Sequence, residues 1–94
     1  MKMKDTTNSE LEINVVRHLI LRNFWEVYIT DEDTGSPDTR YALVWGDATE
    51  LGDVYLPEYK GYIISDTEVD DEIELAPAPG WAWVTTSRRK SHEF

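Results

Sequence analysis

Ser9-Glu10-Leu11-Glu12-Ile13-Asn14-Val15-Val16-Arg17-His18-Leu19-Ile20-Leu21-Arg22-Asn23 is the stretch that decides the fold class of this chain. A helix here makes the protein α+β; a strand makes it all-β. Ser9 and Glu12 have the spacing of a capping box, in which the serine hydroxyl accepts from the backbone N–H of residue 12 and the glutamate reaches back. Leu11, Val15 and Leu19 recur every four residues and give one apolar helical face, and Asn23 is a suitable stop. Leu11, Ile13 and Val15 also alternate within a β-branched run, which is the mark of a strand. The cap tips the reading to a helix over residues 10–22.

Downstream, residues 24–30 alternate as a strand, with Trp25, Val27 and Ile29 on one face and Phe24, Glu26 and Tyr28 on the other. Residues 31–38 carry Gly, Pro, Ser and Asp and read as a loop. Strands follow at residues 41–45, 54–56 and 62–65, with Gly46 and Gly52 setting turns between them. Pro77 and Pro79 break regular structure before a short strand or packing arm at residues 81–84. The expected domain plan is a flexible lead over residues 1–8, one α+β domain over residues 9–85 and a basic tail over residues 86–94. Its core is a small antiparallel sheet of about four to five strands, with the one N-terminal helix on a face.

The 94 residues suit a single core, and four Trp, five Tyr and two Phe supply area to bury. No cysteine is present, which excludes disulfides, thiolate metal sites and cysteine nucleophiles and fits a reducing cytoplasm. No apolar run approaches the roughly 18 residues needed to span a bilayer, and no signal-peptide core follows Met1. The formal net charge is −10, and between residues 26 and 75 fifteen acidic side chains face only Arg40 and Lys60. Such a field repels nucleic-acid phosphate and favours cationic protein surfaces; solubility alone is the plainer account of it.

Candidate chemistry is sparse. Asp31, Asp33 and Gly35 resemble the start of a calcium loop, but the closing glutamate at position twelve would fall on Ala42, so a solvated loop is the reading. Glu68, Asp70, Asp71, Glu72 and Glu74 are the densest acidic run; if extended, Glu68, Asp70, Glu72 and Glu74 would share one face like a row of phosphates. His18, read as a partly exposed helix residue, and His92 in the tail give no zinc pair and no Ser-His-Asp triad. Arg88-Arg89-Lys90 is too short a basic run to bind nucleic acid directly. Trp81 and Trp83 read as core, with an exposed binding pair as the alternative.

Tyr41-Ala42-Leu43-Val44-Trp45-Gly46, Glu50-Leu51-Gly52 and Leu56-Pro57-Glu58 together resemble the signature of an uncharacterised bacterial domain family carried by plasmids and phages. The likeness extends over residues 24–77, with Ala42 in place of a usual Gly and Asp53 where an aromatic is common. That resemblance implies a mobile-element origin and no transferable activity. The expected function is a non-enzymatic, cytoplasmic accessory protein that binds the basic surface of a host or defence protein, in the manner of a nucleic-acid mimic. Asp31, Glu32, Asp33, Glu68, Asp70, Asp71 and Glu72 are its expected contact residues, with no cofactor, metal, membrane or direct nucleic-acid partner. The alternative is a small carboxylate- or metal-dependent hydrolase.

Overall fold

Residues 10–22 are not a helix. In the computed structural model, which describes residues 1–72 and 74–84, Glu12–Leu21 is a ten-residue strand and the fold is nearly all sheet. The strands in chain order are β1 (Lys2–Asp5), β2 (Glu12–Leu21), β3 (Glu26–Thr30), β4 (Thr39–Trp45), β5 (Thr49–Tyr55), β6 (Ile63–Glu68) and β7 (Trp81–Trp83). Among the described residues the one helical element is a 3-10 turn at Leu56–Tyr59. The α+β expectation is therefore corrected to a single seven-stranded antiparallel sheet, ordered β5-β4-β3-β2-β1-β7, with β6 pairing β2 as well.

The physical reason lies in β2 itself. Ile13 and Val15 pack into one apolar cluster with Met3, Tyr28 and Leu43, whereas Leu19 and Leu21 pack into a second with Val27, Ile29 and Ala42. All four are odd-numbered, so a regular strand would put them on one face. The register against β3 steps from Val15↔Thr30 to Arg17↔Ile29, leaving Val16 as the extra residue of a β-bulge. The bulge hands the apolar side chains from one face to the other. The apolar positions keep their odd numbering along the sequence while the face changes, and among them Leu11, Val15 and Leu19 also carry the fourfold spacing of a helix. The expected capping box is instead the β1–β2 turn, where Asn8 Oδ1 accepts from the Glu10 N–H at 3.3 Å and the Leu11 N–H donates to the Asn8 carbonyl.

The lead segment is likewise a paired strand: Met3 in β1 is fully buried and lies between β2 and β7. Gly52, expected at a turn, lies in mid-β5 opposite Ala42. Gly46 does sit at the β4–β5 turn, and its missing Cβ matters: one placed there would stand 2.5 Å from the Trp25 ring. The basic tail, Arg88, Arg89, Lys90 and His92 lie outside the described residues.

After β5 the chain passes through the 3-10 turn and returns as β6 beside β2, four strands away. In a flat sheet that displacement would be about 19 Å across and about 20 Å along the strands. The connecting residues, partly wound, reach about 22 Å, which is short of the diagonal. The sheet must curl. Its concave side holds the second cluster, closed by Val54, Leu56, Tyr59 and Ile63. Its outer side, with the first cluster, is covered by a strap formed by residues 69–72 and 74–80, where Val69 and Ala78 are buried, with Trp81 of β7 buried beside them.

Candidate functional site

The bulge at Val16 organises more than the core. On one edge of β2 the Asp31 N–H donates to the Asn14 carbonyl at 3.2 Å; on the other the Val69 N–H donates to the Val16 carbonyl at 2.9 Å. Loop 31–38 and the start of the strap thus flank the same point of β2 from opposite sides. Their main chains stand two interstrand steps apart, about 10–12 Å. Two acidic segments far apart in sequence are brought to one end of the sheet. All seven expected contact residues, Asp31, Glu32, Asp33, Glu68, Asp70, Asp71 and Glu72, are exposed there.

Local bonds fix how these segments run. Asp31 Oδ2 accepts from Asn14 Nδ2 at 2.8 Å, tying the loop to β2. Asp33 Oδ1 accepts the N–H of Gly35 at 2.8 Å, and the φ of +86° at Gly35 is one that glycine adopts without strain. Asp70 Oδ1 accepts from the Glu72 N–H at 2.9 Å, which turns the chain at residues 71–72. That turn ends the extended course after β6, so Glu68, Asp70, Glu72 and Glu74 do not form the expected single-file row. The acidic display is a pair of clusters around the bulge.

Both nearby arginines are already engaged. Arg17 donates through Nε and Nη2 to the two oxygens of Asp66 at 2.7 and 2.5 Å. This bidentate pair holds the Asp66 carboxyl below its ordinary range and raises the Arg17 guanidinium, with the Glu68 charge adding to the second effect. Arg40 Nη2 donates to the Thr30 carbonyl at 3.0 Å, closing the base of loop 31–38. The loop bounds an open cleft of about 520 Å³ that Asp31, Asp33 and Arg40 help to line.

The sequence reading missed a polar cluster under the strap. His18 is 5% exposed, and its Nε2 lies 2.8 Å from Glu26 Oε1. The fully buried Tyr28 stands opposite His18 on β3, with ring centroids 4.9 Å apart. Its one hydroxyl proton is shared between two acceptors, Glu26 Oε1 at 3.4 Å and the strap carbonyl of Ala76 at 3.2 Å. Burial, reinforced by the Glu26 charge, pushes the Tyr28 phenol well above its ordinary range. The expected partly exposed helix histidine is thus a buried strand residue. The spacing of Glu26 and Tyr28 puts those two on one face of β3, and only the β2–β3 register adds His18 to them. Nearby, Trp83 Nε1 donates to the Leu75 carbonyl at 2.5 Å, so Trp83 serves the strap and the core as expected. Among the described residues no three His, Cys, Asp or Glu side chains are grouped to hold a metal ion, and no helix is long and apolar enough to cross a membrane.

No family model matches the chain, and no curated protein or solved structure does.

Proposed function

We propose that this protein is a non-enzymatic binding protein whose acidic end engages the basic surface of a partner protein. The observation that carries the reading is the pairing of loop 31–38 and the strap on opposite edges of β2 at Val16. It concentrates Asp31, Glu32, Asp33, Glu68, Asp70 and Glu72 while the neighbouring Arg17 and Arg40 are bound to Asp66 and to the Thr30 carbonyl. An end of this kind attracts a cationic groove, including one that otherwise receives nucleic-acid phosphate. The open cleft beside Asp31 and Asp33 has room for a lysine or arginine side chain. The resemblance of residues 24–77 to plasmid- and phage-borne domains supports an accessory role in the cytoplasm, acting on a host or defence protein.

Affinity-tagged protein and a variant carrying Asp31→Asn, Asp33→Asn, Glu68→Gln, Asp70→Asn and Glu72→Gln, each incubated with host lysate at low and high salt, test this. The wild type is expected to retain a partner at low salt and release it at high salt, because screening shortens the reach of surface charge. The variant is expected to retain little. Recovery of no partner under either condition, or equal recovery by the variant, would sink the proposal.

A further inference from the structure

Among the described residues three strands, β5, β6 and β7, pair on one side only. Open edges invite strand addition, and folds normally blunt them by shortness, bulges or charge. β7 has only three residues. In β6 the register steps from Ile20↔Ser65 to Leu21↔Ile63, so Ile64 is bulged out and breaks the edge. β5 has only the last of these devices, the charges of Glu50 and Asp53: it runs seven residues in unbroken register from Thr39↔Tyr55 to Trp45↔Thr49.

The phase of the β5 ladder follows from the bonds that bracket it. The Gly46 N–H donates to the Ala48 carbonyl and the Leu56 N–H to the Asp38 carbonyl. Alternation between these ends places Glu50, Gly52 and Val54 in the hydrogen-bonded pairs with Val44, Ala42 and Arg40. The N–H and C=O groups of Leu51 and Asp53 therefore point away from β4. Among the described residues no hydrogen bond answers them. Between the two sits Gly52, where a Cβ would meet nothing within 4 Å. A glycine in the middle of a strand costs stability, and open space above it leaves room for a neighbouring chain.

Charge selects the occupant. Glu50 and Asp53 are both exposed along this edge. β5 carries these two carboxylates and no basic side chain, so a second copy of the strand added here would bring like charge alongside like charge. A segment bearing lysine or arginine would pair with them instead. β5 ends at Tyr55 opposite Thr39, and Leu56 is bonded to Asp38 of the acidic loop. A strand running along β5 would continue directly to the carboxylates of that loop.

We propose that the outer edge of β5 takes up an extended, basic segment of the partner protein as an added β-strand, through the backbone of Leu51 and Asp53. This rests on the reading of the acidic end as a partner surface and names how the partner is held. Main-chain bonds would supply the affinity, and the carboxylates the choice of a basic strand.

The test uses a synthetic nine-residue peptide of alternating lysine and valine and two versions N-methylated on one or the other alternating set of amides. Only one set can face β5. Titration calorimetry is expected to show one methylated peptide losing at least about tenfold in affinity, the worth of one or two hydrogen bonds, while the other binds like the parent. Asp53→Pro, which removes an outward N–H without touching the β4 ladder, is expected to weaken the parent peptide by a similar factor. Should Asp53→Pro not fold, Glu50→Lys, expected to weaken binding through charge alone, joins the peptide comparison. Equal binding of the two methylated peptides, or no binding of any, overturns strand addition. Salt-sensitive binding that ignores methylation does so too, yet leaves the acidic-end reading intact.

Discussion

Replacing Gly46 by alanine should force the Trp25 ring from its seat, and the cost can be worked from the structure. A Cβ at residue 46 would lie 2.5, 2.5 and 2.6 Å from three indole carbons of Trp25. Carbon atoms rest about 3.5–4.0 Å apart, so the ring must withdraw by about 1 Å. Overpacking of this kind costs about 1–3 kcal/mol. Trp25 is 37% exposed and can move outward, which points to the lower half of that range, about 1–2 kcal/mol. The backbone itself raises no objection, since Gly46 is not among the positive-φ glycines. In a Trp25→Ala background the clash is gone, and Gly46→Ala should be neutral or stabilising by about 0.4–1 kcal/mol through the unfolded chain. Urea unfolding of the four proteins, followed by far-UV circular dichroism, gives the coupling between the two positions. If Gly46→Ala costs the same with and without the Trp25 ring, the packing argument is wrong.

Tyr28→Phe removes the bonds to Glu26 and to the Ala76 carbonyl and should cost about 1 kcal/mol near neutral pH. Because the Tyr28 phenol is raised in the fold, its contribution is complete below about pH 10 and falls as pH rises beyond it; the variant should show a shallower alkaline loss in pH-dependent urea unfolding. Asp66→Asn should cost less than about 1 kcal/mol at neutral pH, the pair with Arg17 being more than a third exposed. The Asp66 pKa is depressed by the Arg17 hydrogen bonds, so this contribution is present above about pH 4 and disappears as pH falls; wild type and variant should converge in acid. Phe24 holds a φ of 68° while 78% exposed, so Phe24→Gly should stabilise the protein by about 0.5–1 kcal/mol in the same denaturation, and a loss of stability would contradict the strain argument.

What the sequence disclosed and what it hid follow from how each strand is buried. β3 and β4 were legible because their side chains alternate cleanly, Val27 and Ile29 against Tyr28, Ala42 and Val44 against Leu43. Loop 31–38 was legible from its glycine, proline and aspartates. β2 was misread because the Val16 bulge transfers apolar side chains between faces, which no local pattern reveals. β1 offers one buried side chain, Met3, in a polar run, and its pairing on both sides makes it a strand. The middle of β5 carries Glu50, Gly52 and Asp53, residues with poor strand preference, and is held by the ladder to β4. The acidic residues were visible individually. Their meeting across β2 was not, since it depends on two pairings of one strand, and the place of His18 beside Glu26 and Tyr28 was hidden because it depends on the β2–β3 register.

The central claim is that the two acidic segments beside the bulge form one binding surface. Amide chemical-shift mapping of isotope-labelled protein, titrated with the lysine-valine peptide at low and then raised salt, tests it most directly. The account expects shifts concentrated at residues 31–38, 49–55 and 68–72 that fade together as salt is added. Shifts spread evenly over the chain, or gathered at the opposite end around residues 22–25 and 60–62, would contradict it.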